Sequence, residues 1–175
     1  MTRNAPTFDE LFASRRDSAV HLEMRDVYNI DGEIEGFEKW RRSGHRDDWD
    51  DRDAWWPPFH QSVADSTARG VLVRRARIVS MPVTEYIRYE HAGTPGNILA
   101  GEHVRWLPRR RATDLALPGN DFWLFDGRVT HVNHFTGDGR WLEEEITEDP
   151  KLAESCSSAF EAVWERAVPH EEFAL

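Results

Sequence analysis

The sequence predicts an α/β (α+β) fold, a mixed β-sheet flanked by helices, and three observations lead there. Segments in period-2 apolar alternation are interleaved with segments at helical spacing. Residues 119–134 read as a strand, a tight Asp126-Gly127 turn and a second strand. From residue 54 onward the order is helix, strand, helix, strand, hairpin, strand, helix, the order of a sheet with helices packed over it.

Each element has its own signal. Phe8, Leu11 and Phe12 give helical spacing over residues 8–16. Residues 18–28 alternate as a half-buried strand does, with Val20, Leu22 and Met24 on one face and His21, Glu23 and Arg25 on the other. A second helix is expected over 31–42, with Asp31 as N-cap and Ile34, Phe37 and Trp40 three apart; Ser43-Gly44 ends it. Residues 45–53 form the most polar stretch. Their aspartates at 47, 48, 50, 51 and 53 invite a calcium reading, but the sixth-position glycine and terminal glutamate of an EF-hand are missing. A solvated loop is expected there.

After Pro57-Pro58 a helix over 59–69 is closed by Gly70. Residues 71–79 are the clearest core strand, with Arg74, Arg75 and Arg77 interspersed among β-branched residues. Residues 82–90 read as the first turns of a helix with Pro82 at N1, and 102–107 as a short extended run stopped by Pro108. The hairpin follows, then a Thr136–Gly139 turn into a strand over 141–146. Asp149-Pro150 starts a final helix with Leu152, Cys156, Phe160, Val163, Trp164 and Ala167 on one face.

A length of 175 residues suits one domain over 1–175, organised as a helix–strand–helix unit (8–44), a polar loop (45–58) and a core (59–168). The formal charge of −10 argues against sequence-independent binding to nucleic acid or to anionic membrane, and Arg109, Arg110 and Arg111 are the one basic run. No direct nucleic-acid contact and no membrane association are expected. A single cysteine, Cys156, permits no internal disulfide and fits a reducing cytoplasm; on the apolar face of the last helix it reads as a buried, inert thiol. His131 and His134 are three apart, which on a strand places them on opposite faces. No zinc set is completed nearby, and no metal or cofactor is expected.

The hairpin carries a further resemblance. A phospholipase-D-like hydrolase bears a His-x-Lys-x4-Asp signature on such a hairpin, and in that register this chain has Gly119, Asp121 and Asp126. The nucleophile position is empty and the lysine position carries the opposite charge, so phosphodiester hydrolysis is not expected. Residues 60–168 otherwise resemble one half of the phospholipase-D-like fold, degenerate versions of which serve as sensor or dimerisation modules in bacterial regulators. Leu22-Glu23, Tyr28, the Ala68–Arg74 run, Asn97, Gly101-Glu102 and the Asp121–Asp126 run together resemble an uncharacterised actinobacterial family encoded beside small helix-turn-helix regulators. That resemblance implies a regulator or another protein as partner, and pairing of half-domains implies a homodimer.

Polar residues on strands that ought to be core are the candidate site: Glu23, Arg25, Tyr28, Arg75, Arg77, Tyr86, Glu102, Arg105, Asp121 and Trp123. Buried charges must be paired. One reading is a structural Glu–Arg network across a solvated sheet face. The other is a polar pocket, also walled by Trp141, for a small anionic or zwitterionic ligand. No catalytic residue is assigned, and the expected function is a non-catalytic cytoplasmic accessory protein that binds a partner or a small ligand. The alternatives are an enzyme using Glu23, Arg75, Glu102 and Arg105 as acid–base groups, and a structural homodimer module.

Overall fold

The computed structural model describes residues 6–45 and 56–175. The aspartate-rich stretch at 47–53 lies outside the described residues. Among those described, seven strands form one mixed sheet in the order β6-β5-β4-β1-β2-β3-β7. β1 (Ser18–Glu23), β2 (Leu72–Val79) and β3 (His103–Pro108) run parallel. β4 (Asp121–Phe125), β5 (Val129–Phe135) and β6 (Trp141–Thr147) add antiparallel beside β1, and the short β7 (Val168–Pro169) adds antiparallel beside β3. Helices α1 (Phe8–Ser14), α2 (Asp31–Ser43), α3 (Pro58–Ala68), α4 (Glu85–Leu99) and α5 (Pro150–Arg166) cover it. The expected mixed sheet flanked by helices is what forms, and the N-terminal segment supplies its central strand.

The pleat sorts the side chains into two faces. Val20, Leu22, Ala76, Ile78, Leu107, Phe122 and Leu124 pack beneath Ala153, Cys156, Phe160 and Val163 of α5, the face anticipated for that helix. On the other side two apolar clusters form. Ala19, Val73, Trp123 and Phe125 sit under Leu11 and Phe12 of α1 and Val63 of α3. Val79, Val104 and Trp106 sit under Tyr86, Ile87 and Tyr89 of α4, backed by Phe37 and Trp40 of α2. Between the clusters, along β2, come Arg75 and Arg77, flanked by Val73 and Val79.

Several boundaries differ from expectation for local reasons. β1 ends at Glu23 rather than continuing to Tyr28, because the Met24 N–H donates to the Asp121 carboxylate (2.9 Å) instead of to a neighbouring strand. Ile30, not Asp31, is the N-cap of α2. α4 starts at Glu85, not Pro82, since the Thr84 hydroxyl caps it by accepting from Ile87 N–H (3.1 Å). It then runs through Gly93, Pro95 and Gly96, where sequence rules foresee a break. Gly93, Thr94 and Gly96 are buried there, so packing outweighs their poor helix propensity.

The hairpin turn takes positive φ at Asp126 (50°) and Gly127 (64°), as primed turns between right-twisted strands require. The Asp126 carboxylate accepts backbone N–H bonds from Asp17 (2.9 Å), Ser18 (3.0 Å) and Arg16 (3.3 Å), fixing the entry to β1. Burial would raise its pKa, but these N–H donors hold it below the usual carboxylate range. Asp126→Asn tolerates the same φ and isolates the charge; it is expected to cost about 1 kcal/mol in urea unfolding at neutral pH. A carboxylate with a depressed folded pKa contributes above its unfolded value and loses that contribution as pH falls through the folded one. The gap between wild type and variant should therefore close below about pH 4, and a gap that stays constant in acid would refute the assignment.

Candidate functional site

The charged centre of the α1–α4 face is built on strand alternation. His21 and Glu23 of β1, Arg75 and Arg77 of β2, and Asp121 and Trp123 of β4 all point to that side, in adjacent registers. Glu23 is the hinge of the network. Its Oε1 accepts from Arg75 Nη1 (2.8 Å) and its Oε2 from Arg77 Nε. Arg75 Nε donates to Glu102 Oε1 (2.8 Å), Asn97 donates to the other oxygen of Glu102 (2.7 Å), and Arg77 Nη2 reaches Glu90 (2.6 Å). The guanidinium of Arg75 lies 5.5 Å from the ring centroids of both Phe59 and Trp123.

Burial sets the electrostatics. Desolvation would push the Glu23 carboxyl up, but Arg77 and Arg75 outweigh it and hold it down at about 2. His21 stacks on Trp123 (centroids 4.2 Å) and burial pushes its pKa well below the ordinary histidine value, so it is neutral at pH 7. Asp121 goes the other way. Its partners are the Tyr28 hydroxyl and the Met24 N–H, and burial raises it to about 6. Glu33 of α2 accepts from the Tyr86 hydroxyl (2.6 Å) and is raised to about 7 by burial and by Glu90.

A cavity of about 480 Å³ opens above this floor. Glu23, Arg75, Arg77, Asp121, Trp123 and Trp141 line it, as do Phe8, Phe59 and Phe135. The other sequence-derived candidates divide. Tyr28 and Tyr86 stand behind the wall and orient Asp121 and Glu33. Glu102 is buried behind Arg75. Arg25 lies past the end of β1 and spans Phe135 (5.4 Å to the centroid) and the Thr136 carbonyl (3.0 Å). Arg105 is on the opposite sheet face, donating to the Trp164 carbonyl (3.0 Å) over the Trp164 ring. The four-residue acid–base set of Glu23, Arg75, Glu102 and Arg105 therefore does not assemble: Arg105 is on the other face of the sheet, and Glu23 and Glu102 are both ion-paired to Arg75.

Sequence reasoning missed Glu33, Glu90 and Asn97. Glu90, Gly93 and Asn97 make one stripe of α4, at helical spacing, but the stripe is visible only if the helix is carried through Pro95. His131 was expected on the face opposite His134, and it is. It lies buried beside the cavity with Nε2 2.8 Å from Glu144, while His134 faces the other way, 3.4 Å from Glu145. Cys156 is buried in the α5 cluster, and burial pushes its thiol up to about 11. Among the described residues no helix is long and apolar enough to cross a membrane.

The fold resembles that of TrmBL2, an archaeal chromatin protein whose structure is described as showing a novel mode of DNA binding. The TM-score is 0.50 at 11% identity, over 91% of this chain and 47% of that one, so this chain spans about half the length of that protein. The expectation of no direct nucleic-acid contact is corrected by that finding. It rested on net charge, a sum over the whole molecule, whereas a nucleic acid meets a local surface; a DNA-binding protein shares this fold. No curated protein matches the sequence. A family model does match, over residues 6–175, and the chain belongs to that family, DUF6879, described as a domain of unknown function.

Proposed function

We propose that this chain is a non-catalytic binding module whose cavity above the sheet takes a small molecule and passes its occupancy to a regulatory partner. The cavity of about 480 Å³ carries the reading, being in the size range of small-molecule sites and combining aromatic walls with a few fixed polar groups. Arg75 donates to both Glu23 and Glu102, which suits preorganised recognition better than proton transfer. The phospholipase-D-like ancestry read from the hairpin agrees, since Gly119 and Asp121 stand where its nucleophile and lysine would be. A cytoplasmic setting accords with the lone buried cysteine.

The test is a thermal-shift screen of metabolite classes against the wild type and Asn133→Trp; Asn133, paired with Asp121 across β4–β5, also lines the cavity, so the variant places an indole there. A ligand at about 100 times its Kd should stabilise the wild type by roughly 2.7 kcal/mol and leave the variant unmoved. No shift from any class would overturn the reading. A second reading, acid–base catalysis, is favoured by Asp121 at about 6 in the same cavity. It requires turnover of a bound ligand that Asp121→Asn abolishes without weakening binding. Because net charge does not exclude nucleic acid, a mobility-shift assay with duplex DNA belongs beside the screen. Salt-sensitive retardation that Arg110→Ala and Arg111→Ala relieve would assign that contact to the basic turn.

A further inference from the structure

We propose that the cavity selects a small organic cation, an ammonium group with N–H donors at one end and an apolar body at the other. This rests on the reading of the cavity as a binding site and names its ligand class, in place of the anionic or zwitterionic ligand anticipated from sequence. The first argument is charge. Among the lining residues Glu23, Glu33, Glu90, Asp121 and Glu144 stand against Arg75 and Arg77, five carboxylates to two guanidiniums. Both guanidiniums are already engaged, Arg75 with Glu23 and Glu102, Arg77 with Glu23 and Glu90. Among the described residues an entering anion would find one free guanidinium nitrogen, Arg77 Nη1, on a side chain already shared by two carboxylates. Among the described residues Asp121 and Glu33 have no cation at ion-pair distance, and each accepts from a tyrosine hydroxyl instead.

Hydrogen-bonding capacity points the same way. Ionised carboxylates only accept, and His21, 7% exposed and lining the cavity, has an Nδ1 without a hydrogen-bond partner, 3.8 Å from Glu23 Oε1. Kept neutral by burial, its imidazole offers an acceptor as well as a donor. The aromatic wall is suited to positive charge. Phe59 and Trp123 receive the Arg75 guanidinium and Phe135 receives that of Arg25, so three lining rings already face cations of the protein itself.

A cation would also ionise the two elevated carboxyls. Asp121 is faced by Tyr28, Glu23 and Arg25, and Glu33 by Glu90, Tyr86, Glu23 and Arg77. An ammonium beside them lowers both pKa values, so binding releases protons and tightens as pH rises through about 6 and about 7. An anion would do the reverse.

Three probes that share one body separate the charge states: 2-phenylethylamine, 2-phenylethanol and 3-phenylpropionate, titrated calorimetrically into the full chain in buffers of different ionisation enthalpy. The amine should bind at least about tenfold more tightly than the alcohol, with proton release, and the acid not at all. Asp121→Asn and Glu33→Gln should each weaken the amine about tenfold or more and diminish the proton release. Should Asp121→Asn fail to fold, Glu33→Gln on α2 decides alone. Equal or tighter binding of the acid or the alcohol overturns the cation assignment and leaves the binding-module reading standing. If no probe binds while the metabolite screen yields a neutral or anionic ligand, the cation assignment falls alone; if both are blank, both readings fall.

Discussion

Glu23→Ala is expected to lower folding stability by about 3 kcal/mol, because it breaks a buried ion network from its centre. Glu23 serves Arg75 and Arg77 at once, and each arginine is under a tenth exposed. The loss falls at the low end for a broken buried pair, since Arg75 keeps Glu102 and Arg77 keeps Glu90. Acid titration provides the signature. Burial alone would raise the Glu23 pKa, yet Arg77 and Arg75 hold it at about 2, below the unfolded value of 4.5. A group depressed in this way contributes fully above 4.5 and loses its contribution as pH falls from 4.5 toward 2. Urea unfolding of the wild type should therefore weaken across that window more steeply than that of Glu23→Ala. A loss below about 1 kcal/mol with parallel acid slopes would mean that cavity water, not Glu23, satisfies the arginines.

Trp123→Ala is expected to cost about 3–5 kcal/mol and to open the cavity wall at the same time. The indole is 3% exposed and packs against Phe12 (5.2 Å), Phe8 (5.7 Å), Phe125 (5.9 Å) and Phe59 (6.1 Å), besides its stack with His21. Removing it leaves a void that α1 and α3 cannot close without moving. A drop in Tm of roughly 10 °C by circular dichroism is the readout. Trp123→Phe keeps an aromatic face over Arg75 and should recover most of the loss. A full-sized penalty in Trp123→Phe as well would place the effect in the indole's shape rather than in burial of an aromatic ring.

The candidate site was partly legible because strand alternation is local. Glu23 and His21, two apart on β1, Arg75 and Arg77, two apart on β2, and Asp121 and Trp123 on β4 were bound to share faces whatever sheet they joined. Arg105 could not be placed by the same rule. Alternation puts Arg105 opposite Val104 and Trp106, but which of those faces meets the Arg75 side depends on register with β2, where Arg105 pairs with Ala76. Glu33 was hidden because nothing local places α2 over the sheet, and the Glu90–Asn97 stripe for a different reason. Gly93, Pro95 and Gly96 lower intrinsic helix propensity, and only burial against the sheet holds α4 through them.

Sequence alone determined the mixed sheet, the hairpin at Asp126-Gly127, the apolar face of α5 and the pairing obligation of the strand charges. All of these follow from periodicity, turn chemistry and the cost of burying charge, which act within a few residues. Tertiary structure alone decided that β1 would be central, that Arg105 would face away, and that α2 and α4 would bring Glu33 and Glu90 over the same floor as Asp121. Those outcomes depend on contacts between residues far apart in the chain, and burial then sets the Asp121 carboxyl at about 6 and the Glu23 carboxyl at about 2 although both lie on one sheet face.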